Sequence, residues 1–305
     1  MKALRVAATM LRFRTAALLL PFFLLAPAIH GRLEFRWTYV GGVAALFASY
    51  VVATCVNDLF DVEIDRVNAA HRPLASGQTT RRALLLIALA AACASLLLAP
   101  STAVIGLSLA FNVAYSAPPL RICARPLLAA PSLAVAYVAL PYALGLAAAG
   151  VPSSWYDARV VGALVVLFAG RMLLKDFRDR RGDALFGKRT FLLTYGKRTT
   201  LLVVLGCVVV GDALLVSVLP SLVLIGVTQT FFAAIVYELY RLAREDDLVH
   251  IARGARMGNA VILTWLGFAI LPPAEGNVFA ITMTAAYWLM FLLPAPAAAP
   301  AATSA

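Results

Sequence analysis

Residues 57–65 read Asn57-Asp58-Leu59-Phe60-Asp61-Val62-Glu63-Ile64-Asp65, and residues 175–183 read Lys175-Asp176-Phe177-Arg178-Asp179-Arg180-Arg181-Gly182-Asp183. Both stretches space three aspartates as D-x2-D-x3-D, and the step along the chain from Asp58 to Asp176 recurs from Asp61 to Asp179 and from Asp65 to Asp183. At about 100° per residue, three aspartates so spaced share a helix face within an arc of roughly 60° and extend over about 10 Å. Glu63 falls off that arc. Of the 15 Asp and Glu in the chain, these two stretches hold seven. Carboxylates are otherwise sparse, so the clustering marks a site.

The chain around the motifs is apolar: 305 residues, 62% hydrophobic and 13% charged, with a mean hydropathy of +0.88. That composition belongs to an all-α integral membrane protein. Apolar stretches of spanning or near-spanning length fall at 12–29, 38–56, 82–99, 101–116, 126–149, 159–174, 199–219, 221–240, 256–272 and 277–294. With the N-terminus in the cytoplasm, all but Arg32, Arg36 and Arg159 of the 26 Lys and Arg fall on the cytoplasmic side. The net charge of +11 is therefore a topological signal, and no nucleic-acid partner is expected. The first apolar run follows basic residues, as a secretion signal does, but nine further spans make it a retained helix. Residues 1–294 read as one transmembrane domain, and the Pro/Ala-rich stretch 295–305 as a disordered tail.

Four spans separate the two motifs, and an even number returns the chain to the same membrane face. The clusters can therefore meet at the cytoplasmic side of the cell membrane. Two acidic ridges facing one another in a partly desolvated place repel unless cations lie between them. The ligands on offer are oxygens. Cys55, Cys93, Cys123 and Cys207 form no CxxC pair, and His30, His71 and His250 are scattered. Hard divalent ions suit such ligands, Mg²⁺ above all, which keeps waters and bridges phosphates, so a diphosphate substrate is expected. The plain alternative is a pair of solvated loop clusters. A transporter would need polar residues deep in the spans, and Asn112, Asp212, Gln229, Glu238 and Asn259 make no evident set.

Basic residues flank both motifs. His71-Arg72-Pro73-Leu74-Ala75-Ser76-Gly77 follows the first, Gly187-Lys188-Arg189-Thr190 follows the second, and Tyr115-Ser116-Ala117-Pro118-Pro119-Leu120-Arg121 lies between spans on the same face. Guanidinium and ammonium groups can take phosphate oxygens that a metal leaves uncovered, though positive-inside residues look the same in sequence.

Taken together, NDLFDVEIDRVN, HRPLASG, YSAPPLR and KDFRDRRGDALFGKRT resemble the UbiA superfamily of membrane prenyltransferases, over spans 1 to 9. The resemblance implies nine transmembrane helices around a central cavity, with short cap helices at the motif end. The tenth apolar stretch is an addition. It also implies that Asn57, Asp61 and Asp65, with Asp179 and Asp183 opposite, hold Mg²⁺ on an isoprenyl diphosphate, supported by Asp58 and Asp176. Asp61, Asp65, Asp179 and Asp183 then act in catalysis through the metal. Arg72, Tyr115, Arg121, Lys175 and Lys188 match segments associated with the diphosphate. The partners implied are an isoprenyl diphosphate and a lipophilic acceptor, aromatic, quinone-precursor or lipid, within the bilayer. The alternative is a terpene cyclase of the same superfamily, in which the isoprenoid's own double bonds capture the cation. Phe60, Phe111, Tyr137, Tyr142 and Phe177 are candidate cavity aromatics, and Arg12-Phe13-Arg14-Thr15 departs from the Arg-Pro that many relatives carry near this point.

Overall fold

The computed structural model describes residues 2–245 and 247–292, and the regular structure among them is helical. In chain order come α1 (Lys2–Leu11), α2 (Phe13–Ala16), α3 (Leu20–Ile29), α4 (Trp37–Phe60), α5 (Val62–Asn68), α6 (Arg81–Leu98), α7 (Thr102–Ser116) and α8 (Pro126–Ala134). They are followed by α9 (Leu140–Ala149), α10 (Trp155–Leu173), α11 (Lys175–Leu185), α12 (Phe191–Val216), α13 (Leu222–Glu245), α14 (Val249–Ile270) and α15 (Pro273–Leu292). The expected tail, 295–305, lies outside the described residues.

Among the described residues six segments are long and apolar enough to cross a bilayer: Ala8–Ile29, Trp37–Phe60, Arg81–Leu98, Pro126–Ala149, Phe191–Val216 and Leu222–Glu245. Of the ten spans expected, these six have that length and apolarity. Apolar α7 stops at 15 residues. Helices α10, α14 and α15 coincide with the other three expected stretches but carry polar residues within their length, such as Asp157 and Arg171, Arg253 and Asn259, and Glu275 and Asn277.

The helices close a ring. Helix α4 packs on α6, α7 and α9, α8 on α10, α10 on α12, α12 on α13, α13 on α14, and α14 on α3, which returns to α9. Burial of side chains such as Phe23, Leu25, Leu144, Phe231 and Trp265 fills the interfaces. Close approach sets the α3–α9 contact, where a Cβ on Gly145 would lie 2.1 Å from the Phe23 carbonyl oxygen. Small residues let helices come this near when lipid provides no hydrophobic drive between them.

Several polar groups inside the ring are paired with one another, as low-dielectric surroundings favour. At the end far from the motifs, Ser154 and Asp157 form a capping box at the start of α10. Tyr142 donates to Asp157 at 2.6 Å and His30 lies 2.9 Å from it, joining α3, α9 and α10. The residues that formed no evident set in the sequence find partners in space. Asn112 donates to Ser49, Gln229 to Asp212 and Arg171 to Asn259, while Glu238 meets His250.

Candidate active site

The two aspartate motifs meet at one end of the ring, but not as two matching helical ridges. Helix α4 ends at Phe60 and α5 begins at Val62, with Asp61 between them at φ −106°, ψ 18°. Asp58 therefore sits in the last turn of α4 and Asp65 inside α5, so the single-face arc expected for the first motif is broken at Asp61. The second motif lies whole on α11, which starts after a break at Leu174. Helices α5 and α11 are the short cap helices, and they pack on each other.

A latch joins them that the sequence did not reveal. Asn68 donates through Nδ2 to the Asp179 carbonyl at 2.9 Å and accepts through Oδ1 from the Gly182 N–H at 2.8 Å. Gly182 leaves room for this latch, because a Cβ would lie 2.5 Å from the Asn68 side chain and displace it.

Asp58, Asp61, Asp65 and Asp183 are 1–4% exposed. Cations lie between them. Arg72 pairs with Asp65 and lies 3.3 Å from both Asn57 and Asp58, while Arg12 donates to Asp58 at 2.5 Å. Arg121 donates to one oxygen of Asp61 at 3.1 Å, and Lys188 to the other at 3.2 Å. Lys188 also faces Asp183 at 3.7 Å, bridging the motifs. Asn57 completes the group by donating to Asp61 at 3.1 Å. At the outer rim, Lys175 lies 3.9 Å and Arg178 3.4 Å from Asp179. Exposed Glu63 pairs with Arg66, away from the site.

Arg12 was visible in the sequence only as a departure from the family pattern, yet it neutralises the most buried carboxylate of the site. Arg12 and Arg121 have φ of 42° and 36°, and among the described residues they alone are left-handed without being glycine. Such a conformation costs roughly 1–2 kcal/mol in a non-glycine residue. Charge-assisted hydrogen bonds to Asp58 and Asp61 offset it, and strain of this kind gathers at functional sites.

Burial pushes the Asp65 and Asp176 carboxyls up to about 6 and raises that of Asp183, against the lowering pull of Arg72, Lys175 and Lys188. The carboxylates are thus short of positive charge even beside these cations. Asp58 Oδ2 and Asp183 Oδ1 are buried without a hydrogen-bond partner. Among the described residues no three His, Cys, Asp or Glu side chains are grouped as a metal site, because Arg and Lys side chains stand between the acids.

Below the aspartates opens a cavity of ~730 Å³. Arg12, Asn57, Arg72, Tyr115 and Lys175 line its motif end, and Phe22, Tyr50, Phe111, Tyr137, Phe168 and Phe232 its walls. Tyr137 sits in a π-helical turn, Val135–Ala139, that re-aims the chain between α8 and α9. Its ring stacks on Phe168 and meets Tyr50 edge-on. Of the aromatics expected at the cavity, Phe111 and Tyr137 line it. Phe60 is 45% exposed, Tyr142 is engaged with Asp157, and Phe177 is packed in the core.

A model of the UbiA prenyltransferase family matches residues 18–259. The digeranylgeranylglyceryl phosphate synthase of Methanoregula boonei is 32% identical over 61% of this chain and 67% of its own length. The chloroplastic 2-acylphloroglucinol 4-prenyltransferase of Humulus lupulus is 25% identical over 68% of this chain, which spans about half of that relative, 54%. Among solved structures, that of a digeranylgeranylglyceryl phosphate synthase matches with a TM-score of 0.68 at 19% identity, covering 88% of this chain and 99% of its own. A UbiA homolog from Archaeoglobus fulgidus, bound to GPP and Mg²⁺, matches at 0.60 with 18% identity, over 93% of this chain and 100% of its own. These two show the fold. With the family match covering most of the chain, this multi-pass membrane protein belongs to the UbiA prenyltransferase family.

Proposed function

We propose that the protein ionises an isoprenyl diphosphate and transfers the prenyl group to a lipophilic aromatic, quinone-precursor or lipid acceptor, with release of diphosphate. The observation that carries this is the convergence of both aspartate motifs, with Asp58, Asp61, Asp65 and Asp183 buried, and their basic neighbours on the mouth of one apolar, aromatic-lined cavity. In this reading residues 1–294 form one domain of nine transmembrane helices plus a tenth, set in the cell membrane with the N-terminus and the site cytoplasmic.

The site fits Mg²⁺: its donors are oxygens, the Asp65, Asp176 and Asp183 carboxyls are raised by burial, and Asp58 Oδ2 and Asp183 Oδ1 have no hydrogen-bond partner. Asn57, Asp58, Asp61, Asp65, Asp176, Asp179 and Asp183 are the residues to hold it. When bound, the metal supplies charge neutralisation for the departing diphosphate. Arg72, Tyr115, Arg121, Lys175 and Lys188, joined by Arg12, are the groups to position that diphosphate. Arg12, Arg72, Arg121, Lys175 and Lys188 each have a carboxylate partner in the structure, and phosphate oxygens are the alternative partner. The prenyl chain takes the apolar cavity, whose walls exclude water from the cationic carbon, and the faces of Tyr50, Phe111, Tyr137 and Phe168 can stabilise that carbon.

The test is incubation of purified protein with Mg²⁺ and geranyl, farnesyl or geranylgeranyl diphosphate, with and without phenolic and lipid acceptors, followed by mass spectrometry of the organic extract. Acceptor-dependent product, absent with Asp61→Ala, is expected. A cyclic terpene formed from the diphosphate alone refutes transfer in favour of cyclisation.

A further inference from the structure

Prenyl transfer leaves a proton to be disposed of. The prenyl C–O bond breaks with its electron pair leaving on diphosphate, the acceptor's oxygen or ring carbon forms the new bond, and the hydrogen on that atom departs as H⁺. In a cavity shaped to exclude water, something must take it.

On the α13–α14 wall of the cavity stands Glu238, which is 2% exposed. Its Oε1 has no hydrogen-bond partner. Its Oε2 lies 2.5 Å from Nδ1 of His250, itself 3% exposed and also on the cavity wall. Nε2 of His250 lies 3.2 Å from Glu245 Oε2, and the Glu245 side chain is 45% exposed at the end of α13. A carboxylate–imidazole–carboxylate chain therefore runs without a gap from the cavity wall to the surface at the motif end. The charged groups around it are Arg253, 4.0 Å from Glu238 Oε1, and Arg241, which grips Glu245 with two hydrogen bonds of 2.6 and 2.8 Å and Tyr237 with a third. Asp247 caps the Val249 N–H beside the exit.

A pair built only to join two helices would engage both carboxylate oxygens, since a buried unsatisfied acceptor costs roughly 1–3 kcal/mol. Glu238 stands on the cavity wall yet leaves Oε1 without a hydrogen bond, its charged neighbour there being Arg253 at 4.0 Å. An imidazole held between two carboxylates can lose a proton from Nε2 while gaining one at Nδ1.

We propose that Glu238 takes the proton released from the acceptor and that His250 and Glu245 pass it to solvent. The inference rests on the prenyl-transfer reading, and it defines the acceptor as a compound whose nucleophilic oxygen or carbon carries a removable hydrogen.

The test uses the full-length protein in detergent with Mg²⁺ and geranylgeranyl diphosphate. The acceptor probes are an acylphloroglucinol and a glyceryl phosphate ether bearing one geranylgeranyl chain, with water as the acceptor when neither is present. Glu238→Gln is expected to slow formation of the prenylated product by about 10²-fold while binding Mg²⁺–geranylgeranyl thiodiphosphate as the wild type does. Glu245→Gln is expected to slow it less, because solvent reaches that end. Added acetate is expected to restore Glu238→Ala and leave Glu238→Gln slow. Wild-type rates in Glu238→Gln overturn the relay. So does a loss in Glu238→Ala that acetate does not mend and that is matched by lost analogue binding, which assigns the pair to packing. Wild-type protein that releases no diphosphate with any acceptor overturns prenyl transfer itself, a different result from either.

Discussion

Replacing Gly182 with Ala puts a methyl group 2.5 Å from the Asn68 amide, on the contact that holds the two cap helices together. In the interior of α11, alanine is favoured over glycine by ~1 kcal/mol. Against that stand an overpacking cost of ~1–3 kcal/mol and the loss of two hydrogen bonds, to the Asp179 carbonyl and from the Gly182 N–H, at ~0.5–1.5 kcal/mol each. Gly182→Ala is therefore destabilising by roughly 1–5 kcal/mol. Asn68→Ala removes the same two hydrogen bonds without a clash and costs about 1–3 kcal/mol. In the double variant the clash has no partner, the hydrogen bonds are already absent, and only the helix-propensity gain remains. The double variant should thus melt above both single variants, with a coupling of about 2–6 kcal/mol. Diphosphate release should behave differently. All three variants lose the latch between the motifs, so all three should fall by ~10-fold or more, since small misplacements of reacting groups are expensive. The assays are thermal unfolding in detergent and Mg²⁺-dependent diphosphate release. Additive losses of stability, with the double variant worst, would refute the contact as the cause.

Asp61→Ala or Asp179→Ala should abolish Mg²⁺-dependent diphosphate release in protein that still elutes as a folded species, and normal turnover in either would remove that motif from the site. In metal-free protein, burial raises the Asp65 and Asp176 carboxyls to about 6, whereas unfolded carboxyls release their protons near 3.8. The folded state then binds more protons between those values, so stability should fall as pH rises through that window. Mg²⁺ should reverse the slope by binding the ionised form, and melting curves with EDTA and with Mg²⁺ across pH 4 to 7 check both signs. Gly145→Ala drives a Cβ to 2.1 Å from the Phe23 carbonyl oxygen. Backbone cannot yield as a side-chain tip can, so this variant should lower the melting temperature more than Asn68→Ala does, and an unchanged melting curve would show that α3 and α9 are free to separate.

Membrane class, most of the spans and the meeting of the two motifs on one face were legible in the sequence because each follows from a local or additive property. Hydropathy sums along the chain, helical periodicity is a backbone constant, and an even number of spans returns the chain to its starting side. The candidate site was legible for the same reason, as a repeated spacing of carboxylates with basic neighbours. What the tertiary structure decided is who faces whom. Arg12 neutralises Asp58 from the first span, Arg121 and Lys188 share Asp61, and Asn68 ties α5 to α11. These partners lie far apart in sequence, and a one-dimensional pattern has no term for the contact between them. The break at Asp61 was likewise hidden, since its repeated spacing reads as a continuous helix until the cap helix turns away to pack on its counterpart. Glu238 and Asn259 looked isolated among apolar residues. In the low dielectric of the ring each had to find a partner, and only the packing of α10, α13 and α14 determined that the partners were His250 and Arg171.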